Sequence, residues 1–184
     1  MMNKKIKKAL FVIAFEGFQD IEYLVPLDIL KDAGVETYTV SNKIGVATGG
    51  WLQTKVKIEK TISEIDSNDY DVIIFIGGPG ALKNLDNYNS YKIIIQTAYQ
   101  KLKIIAAICI APIILSNAGI LKDKNATVWK GKSPGMDVST DQYLKNNGAV
   151  YKDQNVVVDG NIITANGPEA AQEFGKTILS LLQD

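Results

Sequence analysis

The stretch Ala106-Ala107-Ile108-Cys109-Ile110-Ala111-Pro112-Ile113-Ile114-Leu115 decides how the chain is read. Residues 103–108 form a short apolar run with polar boundaries, the pattern of a buried strand. Residues 110–118 read as a helix, with Gly119 as its stop. Cys109 stands at the join, with almost nothing between strand and helix. Such a join is a sharp turn that exposes its central side chain and aims the first N–H groups of the helix at it. A helix N-terminus favours an anion, so the expectation is a thiol of lowered pKa. A lone cysteine in an apolar run is usually a small core residue. Its place at the end of the strand, rather than within it, favours function.

The pattern repeats along the chain. Residues 8–15, 35–40 and 71–76 read as strands, and 55–58 as a short edge strand. Helices are predicted over 20–33, capped by Asp20 and interrupted by Pro26, and over 91–102. Residues 41–50 read as a glycine-rich loop or hairpin turn. Further on, 126–129 reads as a strand, 130–135 as a loop and 137–146 as a short helix. Asp159-Gly160 joins the two arms of a hairpin over 156–165, and a last helix covers 169–182. Apolar strands alternating with helices define an α/β domain with a mostly parallel central sheet. Ligands bind such sheets at the C-terminal ends of the strands. Glu16, Gly77-Gly78, Cys109 and Asn166-Gly167-Pro168 each follow a predicted strand, so four separate stretches converge on one edge.

Composition narrows the chemistry. The 184 residues suit one domain with a sizeable core, spanning 1–184. Twenty basic and twenty acidic residues balance, and no basic run points to nucleic acid. The single cysteine excludes an intrachain disulfide framework and fits a reducing, cytoplasmic setting. Histidine is absent, which excludes Ser/His, Cys/His and His-metal mechanisms within this chain. Arginine is absent too, so no guanidinium fork clamps a carboxylate or phosphate. The basic start at 1–8 and the apolar stretch behind it imitate a signal peptide, but that stretch is short and ends at Glu16 without a small-residue cleavage site. No run is long enough to span a bilayer.

Within that frame Cys109 is the candidate nucleophile. Glu16 is the candidate acid–base group, its pKa raised by a closed crevice. Gly77-Gly78-Pro79-Gly80 lets backbone approach a ligand and forms a candidate oxyanion hole with the Ile110 N–H. It is neither a P-loop nor a dinucleotide fingerprint, which disfavours a flavin or nucleotide site. Trp129 is a candidate cavity wall, and Gly167 and Pro168 join the same edge. Trp51 lies in an irregular stretch and carries no assignment.

These residues resemble the ThiJ/PfpI superfamily, closest to its Parkinson-associated deglycase (DJ-one) branch. The likeness runs through Glu16-Gly17 with Glu22, Pro26-Leu27-Asp28, Ala33-Gly34-Val35, Gly77-Gly78-Pro79-Gly80 and Ala106-Ala107-Ile108-Cys109. It continues in Ala118-Gly119-Ile120-Leu121-Lys122, Ala126-Thr127, the stretch from Val156 to Thr164, and Gly167-Pro168 with Glu173-Phe174. The resemblance implies a flavodoxin-like three-layer sandwich with Cys109 in a nucleophile elbow. It further implies a protonated Glu16 beside the thiolate, anion-donating amides at Gly77, Gly78 and Ile110, and a homodimer. The activity implied is a cofactor-free, glutathione-independent glyoxalase or deglycase acting on small carbonyls such as methylglyoxal. The alternative is a redox sensor or chaperone that uses an oxidisable Cys109. Ile110 stands where the peptidase-like branch carries histidine, and Trp129 where other members carry one. A Cys-His-acid peptidase triad is therefore excluded within this chain.

Overall fold

The structure, a computed structural model, describes residues 6–84 and 88–183. The basic start of the chain, read above against a signal peptide, lies largely outside the described residues. Six strands form the central sheet: β1 (Lys8–Val12), β3 (Glu36–Val40), β6 (Val72–Phe75), β7 (Ile104–Ile108), β10 (Val156–Asp159) and β11 (Ile162–Ala165). Their order is β10-β11-β7-β6-β1-β3, and every pairing is parallel except the β10–β11 hairpin.

Side-chain alternation explains the layers. Along β1, Leu10 and Val12 face one side, and Ala9 and Phe11 the other, all buried. Ile73 and Phe75 against Val72 and Ile74, and Ile105 and Ala107 against Ala106 and Ile108, repeat the split. A strand buried on both faces needs helices on both faces. On one side α3 (Tyr88–Gln100) and α4 (Pro112–Asn117) supply Tyr91, Ile94, Ile95, Ile113 and Leu115. On the other, α1 (Asp20–Asp32) and α6 (Ala171–Gln183) supply Tyr23, Leu27, Leu30, Phe174 and Ile178. The helices α1 and α6 pack closely where Pro26 meets Gly175. A Cβ at 175 would lie 3.0 Å from Pro26 Cα. The result is the expected three-layer α/β sandwich. Among the described residues no helix is long and apolar enough to cross a membrane.

Several element boundaries differ from expectation. The first strand stops at Val12, and Glu16–Phe18 forms a separate short strand, β2. The glycine-rich stretch contains a strand, β4 (Gly45–Gly49), between β2 and β5 (Lys55–Ile58) in a second, three-stranded sheet. Gly49 lets the backbone approach Asp20: a Cβ at 49 would sit 1.9 Å from Asp20 Oδ1. In the stretch 126–129 only β8 (Asn125–Ala126) is regular, paired with β9 (Val150–Tyr151). Beyond it, Thr127 N–H donates to Thr164 Oγ1 and Trp129 N–H to the Cys109 carbonyl, so its partners are a side chain and a turn rather than a strand. Two short helices, α2 (Gly80–Lys83) and α5 (Thr140–Asn146), complete the chain.

Asp20 does not cap α1. Gln19 is the cap, and its side chain accepts from Glu22 N–H at 2.9 Å. The fully buried Asp20 carboxylate instead accepts from the N–H groups of Trp51, Leu52 and Thr54 at 2.9, 3.1 and 3.0 Å. Burial pushes this carboxyl up. Hydrogen bonds from Thr54, Trp51 and Leu52 outweigh it and hold the pKa below the usual range. Asp20→Ala removes the acceptor for three donors and should cost about 3 kcal/mol, read from urea unfolding. A change below about 1 kcal/mol contradicts this role for the 50–54 loop.

Candidate active site

Parallel register brings four strand ends together. Val12 pairs with Phe75, Phe75 with Ala107, and Ile108 with Ala165. The segments that follow these strands therefore leave the sheet at one edge, as the sequence implied.

Cys109 sits on that edge with φ of +62°, a left-handed conformation rare for a residue with a Cβ. The strain is held from both sides: Cys109 N–H donates to the Ala165 carbonyl at 2.9 Å, and its carbonyl accepts from Trp129 N–H at 2.8 Å. The helix after it begins only at Pro112, two residues later than expected, because Ile110 and Ala111 are used in the turn.

The carboxyl group beside Cys109 belongs to Glu22, not Glu16. Glu22 lies in the first turn of α1 and is fully buried. Its Oε2 accepts from Gly77 N–H at 3.1 Å, while Oε1 is buried without a regular hydrogen bond. The Cys109 thiol is the neighbouring group with a proton to share. Glu16 is exposed on β2, its carbonyl accepting from Asn84 Nδ2 at 3.3 Å. The physical reason is the early end of β1: residues 13–15 carry the chain on, and Glu16 opens an outer strand. The first turn of α1 then returns a carboxyl to the sheet edge. A charged residue within the apolar run Ile21–Val25 was the signal for Glu22 in the sequence.

Gly77 is the joint of this contact. A Cβ there would lie 2.6 Å from Cys109 Cβ, 2.7 Å from Glu22 Oε2 and 2.9 Å from the Ile108 carbonyl. Because its N–H is taken by Glu22, Gly77 serves the carboxyl rather than an oxyanion. The N–H groups of Gly78 and Ile110 act on the sulfur, each favouring its anion. Gly78, at φ of +106°, is tight against residues 17–19: a Cβ would lie 2.5 Å from Gln19 N.

Electrostatics also differ from expectation. Burial pushes the Glu22 carboxyl up to about 8, against hydrogen bonds from Cys109 and Gly77 that pull it down. At pH 7 it is mainly the neutral acid. The Cys109 thiol is not lowered: burial pushes it up and charge on Glu22 adds to this, against the Gly78 and Ile110 N–H groups. The protonation of the two groups is coupled, and at neutral pH both keep their protons.

Above them opens a cavity of about 370 Å³, lined by Gln19, Glu22, Cys109, Gly78, Ile110 and Pro79 below. Trp51, Trp129, Pro134 and Pro168 form apolar walls, with Lys132 and Ser133 at the side. Trp129 is held by its neighbours: its carbonyl accepts from Thr140 Oγ1, and a Cβ at Gly131 would lie 2.2 Å from the indole. Of the expected residues, Cys109, Gly78, Ile110, Trp129 and Pro168 meet here. Gly77 lies behind the pair, Gly167 supports Pro168 from outside the lining, and Glu16 is elsewhere. Gln19, Trp51 and Lys132 were not anticipated. The Asp20 contacts that place Trp51 span more than thirty residues and leave no local pattern.

A strained cysteine in a strand-to-helix turn on a parallel-sheet edge, facing a buried acid, places the chain in the three-layer α/β class. The chain belongs to the DJ-1/PfpI family, whose model matches residues 7–181. An uncharacterised protein of Methanocaldococcus jannaschii is 38% identical over 98% of this chain and 85% of its own length. The deglycase PfpI of Pyrococcus furiosus is 31% identical over 96% of this chain and 99% of its own. Among solved structures, a ThiJ/PfpI domain protein from Brachyspira murdochii superposes with a TM-score of 0.87 at 30% identity, covering 98% of both chains. Drosophila melanogaster DJ-1beta does so with 0.82 at 25% identity, over 96% of this chain and 90% of that one.

The Glu22 shift has a consequence for stability. Between its ordinary pKa of 4.5 and about 8, the unfolded chain has lost the Glu22 proton and the folded one keeps it. Unfolding free energy therefore falls as pH rises across that window, by about 1.4 kcal/mol per unit from this group, and levels off above it. Urea midpoints at pH 5 and pH 8 should show the decline in wild type and a shallower one in Glu22→Gln. Equal declines in both contradict the assignment.

Proposed function

We propose that this protein is a cysteine-dependent glyoxalase or deglycase-type enzyme acting on small reactive carbonyls such as methylglyoxal. The observation that carries the reading is the Cys109 thiol against the neutral Glu22 carboxyl at the floor of an apolar-walled cavity. The relatives named deglycases support the same reading. The reaction starts from the form of the pair in which the thiol has given up its proton and Glu22 keeps its own. The thiolate attacks the aldehyde carbon, and Glu22 protonates the new alkoxide to give a hemithioacetal. Glu22, now a carboxylate, takes the proton from that carbon as electrons move to the neighbouring carbonyl oxygen. The Gly78 and Ile110 N–H groups support the negative charge that develops beside the sulfur. The hydroxyl proton on the first carbon passes to the second oxygen and Glu22 returns its proton to the second carbon, which leaves a thioester; water splits this into a 2-hydroxy acid and the thiol. Only protons and water are exchanged, so the sequence of steps calls for no redox cofactor. A homodimer and a cytoplasmic setting belong to the same proposal. The unpaired thiol supports the setting, and light scattering tests the dimer, with a monomer mass at micromolar concentration against it.

Methylglyoxal loss without glutathione tests the reaction. Wild type should be active and Cys109→Ser inactive. Glu22→Gln should lose roughly two to four orders of magnitude, and Glu16→Gln should stay near wild type. A wild type without activity, whose Cys109 nonetheless takes up oxygen from mild peroxide, overturns the enzyme reading in favour of a redox sensor.

A further inference from the structure

Every polar group of Gln19 but one has a partner. Its N–H donates to the Gly77 carbonyl at 3.0 Å, and its carbonyl accepts from Tyr23 N–H at 3.2 Å. Its side-chain oxygen accepts from Glu22 N–H at 2.9 Å. That last bond settles the orientation of the amide, because an N–H donor requires the oxygen. The NH₂ end therefore points away from the helix cap, and among the described residues it has no hydrogen-bond partner. Gln19 is nine-tenths buried and lines the cavity with Cys109, Glu22 and Gly78. The NH₂ is not sealed off, so its bonding capacity is open to a molecule in that cavity. The groups around it explain why it is held so firmly. Gly78 is pressed against Gln19 N, and Gly77, bonded to Gln19 through its carbonyl, carries the Glu22 contact through its N–H.

We infer that the Gln19 side-chain NH₂ is a substrate-binding donor, and that it selects carbonyl compounds carrying a second oxygen on the carbon next to the one Cys109 attacks. This rests on the reaction proposed above, whose substrates carry that second oxygen, and gives Gln19 the task of recognising it against simple aldehydes. The donor also falls where it is most useful. Negative charge moves onto the second oxygen during the proton transfer, and the chain has neither histidine nor arginine to meet it. An N–H donor aimed at developing charge contributes more to the transition state than to binding.

Gln19→Glu isolates this donor. A carboxylate keeps the acceptor that caps α1, and negative charge suits a helix N-terminus, so the fold is retained. What changes is one NH₂ into one oxygen, with one negative charge added beside the pair, whose effect on the thiol the propanal arm reads. Protection of Cys109 from iodoacetamide reads carbonyl binding without requiring turnover. Methylglyoxal should protect Gln19→Glu only at about tenfold higher concentration than wild type, the effect of one lost hydrogen bond. Propanal, which lacks the second oxygen, should protect both proteins at the same concentration and so controls for any change in thiol acidity. Methylglyoxal protection that is equal in the two proteins overturns the assignment, as does an equal loss for propanal. Absence of methylglyoxal protection in wild type overturns it as well. If the contrast in protection holds and wild type still fails to consume methylglyoxal, the proposed reaction is wrong and the Gln19 donor stands.

Discussion

A carboxyl group buried under a thiol is the contact on which the rest of this site depends. It requires three things at once: a cysteine turned out of the sheet at positive φ, a glutamate brought in by the first turn of a helix, and no side chain between them. Gly77 meets the third condition, since any Cβ there would overlap both partners and the Ile108 carbonyl. The same glycine gives the carboxyl its one regular hydrogen bond. Burial then determines protonation: a carboxyl in this position keeps its proton through neutral pH, and the thiol ionises only as one member of the pair.

The cavity above the pair is shaped by polar contacts that are themselves buried. Asp20 and Glu22 stand two residues apart on one helix and do opposite work. Asp20 accepts three N–H groups and stays ionised, holding the loop that presents Trp51. Glu22 accepts one and stays neutral. Asp20 faces three donors beside the loop it holds, whereas Glu22 faces one and lies deep beneath the thiol. On the opposite wall, the link from Trp129 N–H to the Cys109 carbonyl ties the second indole to the elbow. The cysteine turn therefore positions both the sulfur and part of the wall that encloses it.

The sheet was legible from the sequence because two-sided burial writes continuous apolar runs, as at Ile104–Ile108 and Val72–Phe75. The elbow was legible for the same reason: the run ends at Cys109. The acid was misassigned because adjacency to a strand end says nothing about which side chains return to that end. Glu16 is adjacent in sequence; Glu22 is adjacent in space, carried there by one helical turn. The thiol was expected to be acidic from its place before a helix. The helix begins late and is six residues long, and burial outweighs its amides. Trp51 and the 50–54 loop were not legible, because the acceptor that orders them lies at Asp20, and glycine-rich β4 resembled a loop.

The state of the Glu22 proton is the most direct measure of this account. Infrared difference spectroscopy at neutral pH reads a protonated carboxyl through its C=O stretch, which ionised carboxylates do not share. Wild type and Glu16→Gln should both show such a band at pH 7 and lose it as pH passes about 8, and Glu22→Gln should lack it throughout. No protonated-carboxyl band in wild type at pH 7, or one that disappears in Glu16→Gln and survives in Glu22→Gln, would contradict the pairing of Cys109 with a neutral Glu22.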